Sequence, residues 1–308
     1  MRRKYDFTAF RQSINLIQYA ATQGYEIDRK KSTKSSAALR HASGDKIIVS
    51  RRNGCWVYFS VHDDGDNGTI INFIERRTSK TIGEIGQELS AWLGGGETLP
   101  SPAGCPVAIE EHRPDRARVK AVFRKARPSF AHPYLVQERK IPEKILNSFR
   151  FRGRIYVDHY GNALFPHYDR EGLCGLEIKN IDKSVLVRGS IKGLWTSCWK
   201  ATDRTLVIAE VAIDAISYHA LHPQTDTVYA AVSGAMGAKQ YGDLLYFIRK
   251  IPNLETIILA MDNDKGGDSI AAKLEAFLKE RGFGGKIVRR SPERRGEDWN
   301  DVLKTLPN

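Results

Sequence analysis

The stretch that decides the fold is TIILAMDNDKGG at residues 256–267, an apolar run that ends in two aspartates and a glycine pair. Residues 256–261 have the length and the β-branched content of a strand that is buried on both faces. Asp262 and Asp264 follow that strand directly, and the glycines predict a tight turn into a helix at 268–280. The stretch therefore predicts a strand that carries acidic groups at its carboxyl end.

The same alternation extends in both directions from this stretch. Apolar runs at 205–210, 227–232 and 286–289 read as further strands, and periodic segments at 213–221 and 241–250 read as helices. Short strands joined by helices are typical of a mostly parallel α/β sheet. The sequence predicts that residues 199–308 form such a domain.

Three carboxylates of this domain predict a metal site. Glu210 ends the first strand, and Asp262 and Asp264 end the third. Functional groups of open parallel sheets gather at the carboxyl ends of the strands, so these side chains should be neighbours. Carboxylates repel one another unless cations neutralise them, and hard oxygen ligands without His or Cys favour Mg²⁺ or Mn²⁺ over zinc. For residues 262–267 taken alone, the alternative interpretation is an ordinary polar loop with a capping aspartate.

The charge of the chain points to a polyanionic partner. The chain has 308 residues and a formal net charge of +12. Residues 98–198 carry 18 Lys and Arg against 10 Asp and Glu, residues 1–97 carry 15 against 11, and residues 199–308 carry 15 against 15. The excess therefore precedes the predicted metal domain, which favours nucleic acid as partner, with solubility charge as the alternative. No apolar run reaches the roughly 18 residues of a membrane span, and no signal-peptide core follows the basic start, so we expect a cytoplasmic protein.

The first two thirds of the chain read as smaller α+β units. Residues 6–22 predict a helix, 28–36 a loop, 46–50 and 55–61 a hairpin, and 69–77 and 81–93 two helices. Strands are predicted at about 163–166, 173–180 and 185–188. The alternation of Arg150, Arg152 and Arg154 with apolar residues predicts a strand with three guanidinium groups on one face. We place domains at 1–96, 120–198 and 199–308, with a proline-containing linker at 97–119.

Four motifs in the last domain resemble the Toprim superfamily. They are Val207-Ile-Ala-Glu210-Val-Ala-Ile-Asp214, the small-residue turn Ala230-Ala-Val-Ser-Gly234-Ala, the Asp262-Asn-Asp264 motif, and Gly296-Glu-Asp298-Trp-Asn-Asp. The resemblance implies a Toprim fold and adds Asp214 and Asp298 to the metal ligands. One departure is Val211, since the residue after the motif glutamate is usually glycine.

The resemblance extends upstream to DnaG-type primases and to primase-like proteins of plasmids and other mobile elements. Residues 134–141 and the hairpin Phe165-Pro-His-Tyr-Asp-Arg-Glu-Gly172 look like the N-terminal half of the primase core. Residues 39–93 are similar in pattern to the primase zinc ribbon, but without its metal cysteines. The resemblance implies a zinc-ribbon-like N-terminal α+β domain without zinc, then a small α+β primase-core subdomain, then Toprim.

The function implied is a primase-like nucleotidyltransferase that synthesises short primers on single-stranded DNA with two divalent metals. Glu210, Asp262 and Asp264 would be catalytic, and single-stranded DNA, nucleotides and a helicase or other replication protein would be the partners. A Toprim nuclease and a catalytically inactive DNA-binding module are the alternatives, whereas a topoisomerase lacks room for a tyrosine-bearing cleavage domain. Tyr156 and Trp195 are candidates for base stacking. The predicted nucleic-acid-binding residues are Arg150, Arg152, Arg154, Lys179, Arg188, Lys192 and Lys265.

Overall fold

A computed structural model describes residues 5–63, 65–94, 109–111 and 113–306. The chain divides into two compact units, Met1–Arg113 and Pro114–Asn308. Of the predicted linker, residues 97–108 and 112 lie outside the described residues, and a helix already begins at Arg116. Cys105 also lies outside them, and the other three cysteines are free thiols. In the described part of the chain, no helix is long and apolar enough to cross a bilayer.

The first unit is a five-stranded antiparallel sheet with four helices, in the order β1-β2-β3-β4-β5. The predicted hairpin and the two later helices are confirmed. The predicted loop at 28–36 is wrong, because most of it belongs to strand β1 (Tyr25–Thr33). Several side chains of this strand are exposed to solvent. The predicted helix 6–22 is two helices, since the Asn15 side chain accepts from the Ile17 N–H and starts a new one. The elements are α1 (Phe7–Ser13), α2 (Leu16–Thr22), β1 (Tyr25–Thr33), β2 (Ser36–His41), β3 (Lys46–Arg52), β4 (Cys55–Ser60), β5 (Asn67–Gly68), α3 (Ile70–Arg77) and α4 (Ile82–Leu93).

The second unit begins with another five-stranded antiparallel sheet, in the order β10-β9-β8-β7-β6. Its central hairpin, β8 and β9, confirms the strands predicted at 163–166 and 173–180. The strand predicted across Arg150 to Arg154 is wrong: these residues form turns, with Gly153 at φ +72°. The elements are α5 (Arg116–Phe123), β6 (Arg127–Pro128), a π-helical turn (Tyr134–Glu138), α6 (Glu143–Leu146), β7 (Tyr156–Val157), β8 (Ala163–Asp169), β9 (Gly172–Asn180) and β10 (Lys183–Leu186).

The third sheet is the predicted α/β sheet. Strands β13, β12, β14 and β15 are mutually parallel, and the short β11 pairs antiparallel with β13 at one edge. The central strands are buried on both faces, as their uninterrupted apolar sequence requires. The elements are β11 (Trp195–Thr196), β12 (Thr205–Ala209), α7 (Ala212–Leu221), β13 (Thr227–Ala231), α8 (Ala238–Ile248), β14 (Thr256–Ala260), α9 (Lys265–Glu280), β15 (Lys286–Arg290) and α10 (Trp299–Thr305).

Candidate metal centre

The carboxyl edge of the parallel sheet brings the predicted acidic residues together. Ala209 at the end of β12 pairs with Ala260 at the end of β14, so Glu210 and Asp262 follow adjacent strand ends. Their carboxyl groups lie within hydrogen-bonding reach of each other, and Asp264 is close enough to raise the pKa of both. The strand register therefore produces the juxtaposition that the sequence spacing predicted.

Asp214 and Asp298 lie beside the same carboxyl edge of the sheet, and each is positioned by a helix. Asp214 lies in the first turn of α7 and is buried. Asp298 is the N-cap of α10, where its side chain accepts from the Asp301 N–H at 2.6 Å. The helix is held by Trp299, whose indole N–H donates to the Ala260 carbonyl at 3.1 Å. The motif that begins at Gly296 thus holds the acidic N-terminus of α10 against the end of β14.

The five carboxylates disturb one another electrostatically. Burial, then Glu210, Asp298 and Asp264, raises the pKa of Asp262 to about 7. Burial and the neighbouring acids raise the pKa of Asp214 well above its ordinary value, and burial together with Asp264 raises that of Glu210. For Asp262 and Asp214 the main contributions from neighbouring charges are repulsive, whereas Lys192 and Lys179 partly lower the pKa of Glu210.

Two buried oxygens show where a cation would be accepted. Oδ1 of Asp262 and Oδ1 of Asp214 are buried and have no hydrogen-bond partner among the described residues. Buried carboxylate oxygens are almost always paired, so these two atoms fit a site for a hard divalent cation. Within the ranges that the structure describes, no three acidic, histidine or cysteine side chains already converge on one coordination point. The acids therefore match the chemistry of a metal site but not its closed ligand geometry.

The turn after β14 depends on its second glycine. Oδ1 of Asp264 caps α9 by accepting from the Gly267 N–H at 2.7 Å. A Cβ atom at Gly267 would lie 2.2 Å from the Asp262 carbonyl oxygen, which is closer than real atoms approach. A side chain here would push apart the two aspartates of the motif, so the glycine is required by the close passage of the backbone.

Asn263 joins the two acidic loops, a role that the sequence analysis missed. Its backbone N–H donates to the Glu297 carbonyl at 3.0 Å, and its carbonyl accepts from the Gly296 N–H at 2.7 Å. Its side-chain amide donates to the Pro292 carbonyl at 2.9 Å. The loop that carries Asp262 and Asp264 is thus tied to the loop that leads to Asp298. The only signal in the sequence was the position of Asn263 between two acids.

The small-residue turn after β13 lies directly against Glu210. Ser233 has a left-handed backbone, φ +56°, and its N–H donates to the Glu210 carbonyl at 2.6 Å. A Cβ atom at Gly234 would lie 3.8 Å from Glu210 Oε1 and 3.8 Å from Lys192 Nζ. Glu210 and the predicted nucleic-acid-binding residue Lys192 therefore face the same glycine.

A buried polar cluster from β8 and β9 supports this turn and was also missed. Ser233 Oγ lies 3.1 Å from Glu177 Oε2 and 3.3 Å from His167 Nε2. Burial opposes ionisation of Glu177, but the hydrogen bond from His167 and the ammonium of Lys179 lower its pKa to about 2. Lys179, predicted to bind nucleic acid, is itself buried and lies 3.0 Å from Glu177 Oε1. Its charge thus holds Glu177 ionised beside the acidic edge, and its contact with a phosphate stays a prediction.

Arg150 must be removed from the predicted nucleic-acid-binding set. Its side chain is buried and forms two hydrogen bonds with Asp203, at 2.7 and 2.6 Å, and one with the Thr225 carbonyl at 2.5 Å. A buried, fully paired guanidinium does not reach a ligand in solvent. The prediction is wrong because its partner lies 53 residues away in the sequence.

The remaining basic residues have different surroundings. Arg152 and Lys265 are exposed, Arg188 is exposed and makes a further contact, and Arg154 is half-buried with Nε donating to Cys198 Sγ. Trp195 is wrong as a base-stacking residue, because it is fully buried and its indole N–H donates to the Arg154 carbonyl. Tyr156 is half-buried and packs edge-on against Phe123.

Val211 does not strain the first Toprim motif. It is the N-cap of α7, with φ −125° and ψ 163°, which is extended backbone that any residue adopts. The departure from glycine therefore costs no conformational energy at this position.

Two family models match the second unit. Residues 207–303 match a family described as Toprim-like, and residues 133–202 match a family described only as a protein of unknown function, DUF3991. An uncharacterized protein of Bacillus anthracis is 26% identical over 96% of this chain and 88% of its own length.

Solved structures with some similarity are primases. The primase fragment of the bacteriophage T7 primase-helicase protein is 17% identical, with a TM-score of 0.42, over 58% of this chain and 71% of that one. The Aquifex aeolicus primase, with its zinc-binding and RNA polymerase domains, is 14% identical, with a TM-score of 0.40, over 98% of this chain and 82% of that one. The residues that carry the acidic edge thus lie within the segment, 207–303, that matches the Toprim-like family model.

Proposed function

We propose that the chain is a primase-like nucleotidyltransferase that makes short primers on a single-stranded DNA template with two divalent metal ions. The observation that carries the proposal is the acidic edge, where buried carboxylate oxygens without partners belong to acids whose pKa values are raised. A DNA-replication role in a mobile element, a cytoplasmic location and a helicase partner are parts of the same proposal.

The ligands would be Asp262, Asp264 and Glu210, with Asp214 and Asp298 behind them. When bound, Mg²⁺ or Mn²⁺ would neutralise nucleotide phosphates and favour attack by a hydroxyl group. Alternatively, Glu210 would act as the general base on that hydroxyl group, because burial and the neighbouring Asp264 raise its pKa. Lys192, which faces Gly234 opposite Glu210, would attract the nucleotide phosphates.

One assay separates the proposal from its alternatives. Purified protein is incubated with Mg²⁺ or Mn²⁺, single-stranded DNA and labelled NTPs or dNTPs, and the products are resolved on a sequencing gel. New oligomers would support the primase function. Shortened DNA would indicate a Toprim nuclease, in which water attacks the phosphodiester. A mobility shift without turnover would indicate an inactive DNA-binding module.

A further inference from the structure

Three exposed aromatic side chains belong to hydrogen-bonded segments of the second unit, away from the acidic edge. Phe149 is 52% exposed, Phe130 is 40% exposed and Trp199 is 37% exposed. Large apolar rings in solvent are costly when they gather on one surface, and such patches mark interaction sites more often than isolated rings do. We call Phe130, Phe149, Arg152, Trp199 and Lys200 the aromatic patch.

Contacts within the patch pair each phenylalanine ring with a cation and join the segments that carry the rings. The ammonium of Lys200 lies 4.7 Å from the centre of the Phe149 ring, and the guanidinium of Arg152 lies 5.6 Å from the centre of the Phe130 ring. The Asn147 amide donates to the Phe130 carbonyl at 3.1 Å, which joins the two phenylalanine segments. Trp199 lies between Lys200 and Cys198, whose N–H donates to the Arg150 carbonyl at 2.7 Å.

The patch has a rigid base. Arg150 lies beneath it, buried in its ion pair with Asp203, and its guanidinium is 5.7 Å from the centre of the Phe149 ring. A buried bidentate pair of this kind fixes the backbone on both sides of it. The rings are therefore presented by ordered turns of the second unit.

The patch lies toward the opposite edge of the parallel sheet from the carboxylates. From β11 the chain runs antiparallel to β13, and the Ser197 N–H donates to the Tyr229 carbonyl at 2.8 Å on the way to Trp199. The carboxylates follow the other ends of the strands. The two sites are separated by roughly the length of a five-residue strand, about 16 Å.

We infer that the aromatic patch is a second binding surface for single-stranded nucleic acid, on which bases stack while cations contact the phosphates. Rings alternating with cations are the arrangement that binds single strands without sequence readout. Arg152 and Lys200 are exposed, and Arg154 is half-exposed beside them. The exposed acid nearby, Glu143, is followed by the exposed Lys144, so the surface keeps its positive charge. The inference rests on the proposed nucleic-acid function but does not require the metal site.

The test is binding of fluorescein-labelled oligo(dT) in EDTA, measured by anisotropy on the full chain. Phe149→Ala with Trp199→Ala should weaken binding by about tenfold or more, because each lost ring removes a stacked base. Phe149→Tyr with Trp199→Phe should keep nearly wild-type affinity. Tyr246→Ala is the matched control, since this ring is 39% exposed and lies near Arg170 and Lys250, but it belongs to α8 and is not one of the patch residues.

Tryptophan fluorescence gives a second readout. Trp199 is exposed, whereas Trp56, Trp195 and Trp299 are buried and Trp92 is half-buried in the first unit, so stacked bases should quench the emission of Trp199 most. Trp199→Phe should therefore abolish most of the quenching while the affinity is kept. Wild-type affinity in the double alanine variant, equal weakening by Tyr246→Ala, or failure of the aromatic variants to restore binding would each overturn the inference.

The outcomes also separate this inference from the proposed function. Ring-dependent binding by a protein that makes no primers would support the patch and contradict the polymerase. Primer synthesis with binding that is insensitive to the rings would do the reverse. Circular dichroism of each variant establishes that it is folded.

Discussion

Each unit of the chain contains a cluster of carboxylates, and the two clusters are in opposite electrostatic states. In the first unit, Arg77 lies 2.7 Å from Asp45 and 2.7 Å from Asp66, and its Nε donates to the Tyr25 hydroxyl at 2.6 Å. Burial opposes ionisation of Asp66, but hydrogen bonds from Arg77 and Tyr58 lower its pKa. At the acidic edge of the second unit, burial and like charges raise the pKa values instead.

The difference separates a structural cluster from a functional one. Arg77 supplies the positive charge that the first cluster needs, and its guanidinium also lies 4.4 Å from the centre of the Phe73 ring in the core. At the acidic edge, Lys192 and Lys179 only partly lower the pKa of Glu210, and two buried oxygens have no partner in the described chain. Proteins retain buried acids without a neutralising partner mainly at functional sites, where a bound ligand neutralises them.

The largest effect should come from removing the acids that we predict to bind a cation. Asp262→Ala with Asp264→Ala should lower turnover by about a hundredfold or more, since charge stabilisation by bound metal is worth several kcal/mol. DNA binding should be largely intact. Primer synthesis measured beside Glu275→Ala, an exposed acid of α9 paired only with Lys279 among the contacts described, provides the control. Wild-type rates in the double variant would mean that the metal site is assigned to the wrong residues.

The next effect should come from removing the cation of the first cluster. Arg77→Ala leaves Asp45 and Asp66 without their partner and should destabilise the first unit by about 2–4 kcal/mol. Arg76 is its neighbour, with a side chain that is 47% exposed. Arg76→Ala should lower the free energy of unfolding by less than about 0.5 kcal/mol. Urea unfolding, with hydrogen exchange of β1 to β4, measures both. Equal effects of the two substitutions would remove the distinction between the clusters.

A smaller effect concerns pH and metal together. The ordinary pKa of Asp262 is 3.8 and its folded value is about 7, so between these values the folded state holds a proton that the unfolded chain has released. Without metal, stability should therefore fall as the pH rises from about 4 to 7. Mg²⁺ added at pH 8 should raise Tm by a few degrees, because it binds only the folded acids. Thermal scans of wild type and Asp262→Asn, with Mg²⁺ or EDTA, check this; an equal Mg²⁺ response in Asp262→Asn would contradict it.

The smallest expected effect is that of zinc removal. The Arg77 cluster supplies a cross-link between the strands and α3 of the first unit, so this unit should not need a metal for its stability. Treatment with 1,10-phenanthroline should leave its Tm unchanged, and elemental analysis of the purified protein should find no zinc. One zinc per chain would show that the zinc-less interpretation is wrong.

The sequence predicted the parallel sheet well because its strands are apolar on both faces and end abruptly in acids. Glu210 and Asp262 could be placed together from this pattern alone, since parallel strands align their carboxyl ends. Asp214 and Asp298 needed the family resemblance, because a single acid on a helix carries no spacing signal.

The positions of the basic residues could not be predicted from the sequence in the same way. Alternation of Phe and Arg predicted a strand at 149–154, but the chain turns there, and Arg150 is buried by a partner that only the tertiary fold brings close. The exposed β1 was predicted as a loop, because its Lys and Arg residues give no apolar alternation. Long-range pairing and edge strands are decided by packing, which local patterns do not contain.

The link made by Asn263 offers a way to inactivate the site while every ligand remains. Asn263→Ala would remove the amide that donates to the Pro292 carbonyl and the oxygen that accepts from Arg295, and it would add no carboxylate. The backbone hydrogen bonds to Glu297 and Gly296 would remain, but the two acidic loops would be held less firmly, although Asp262, Asp264 and Asp298 would all be present. Loss of function in this variant would report on the spacing between the acids and not on their number.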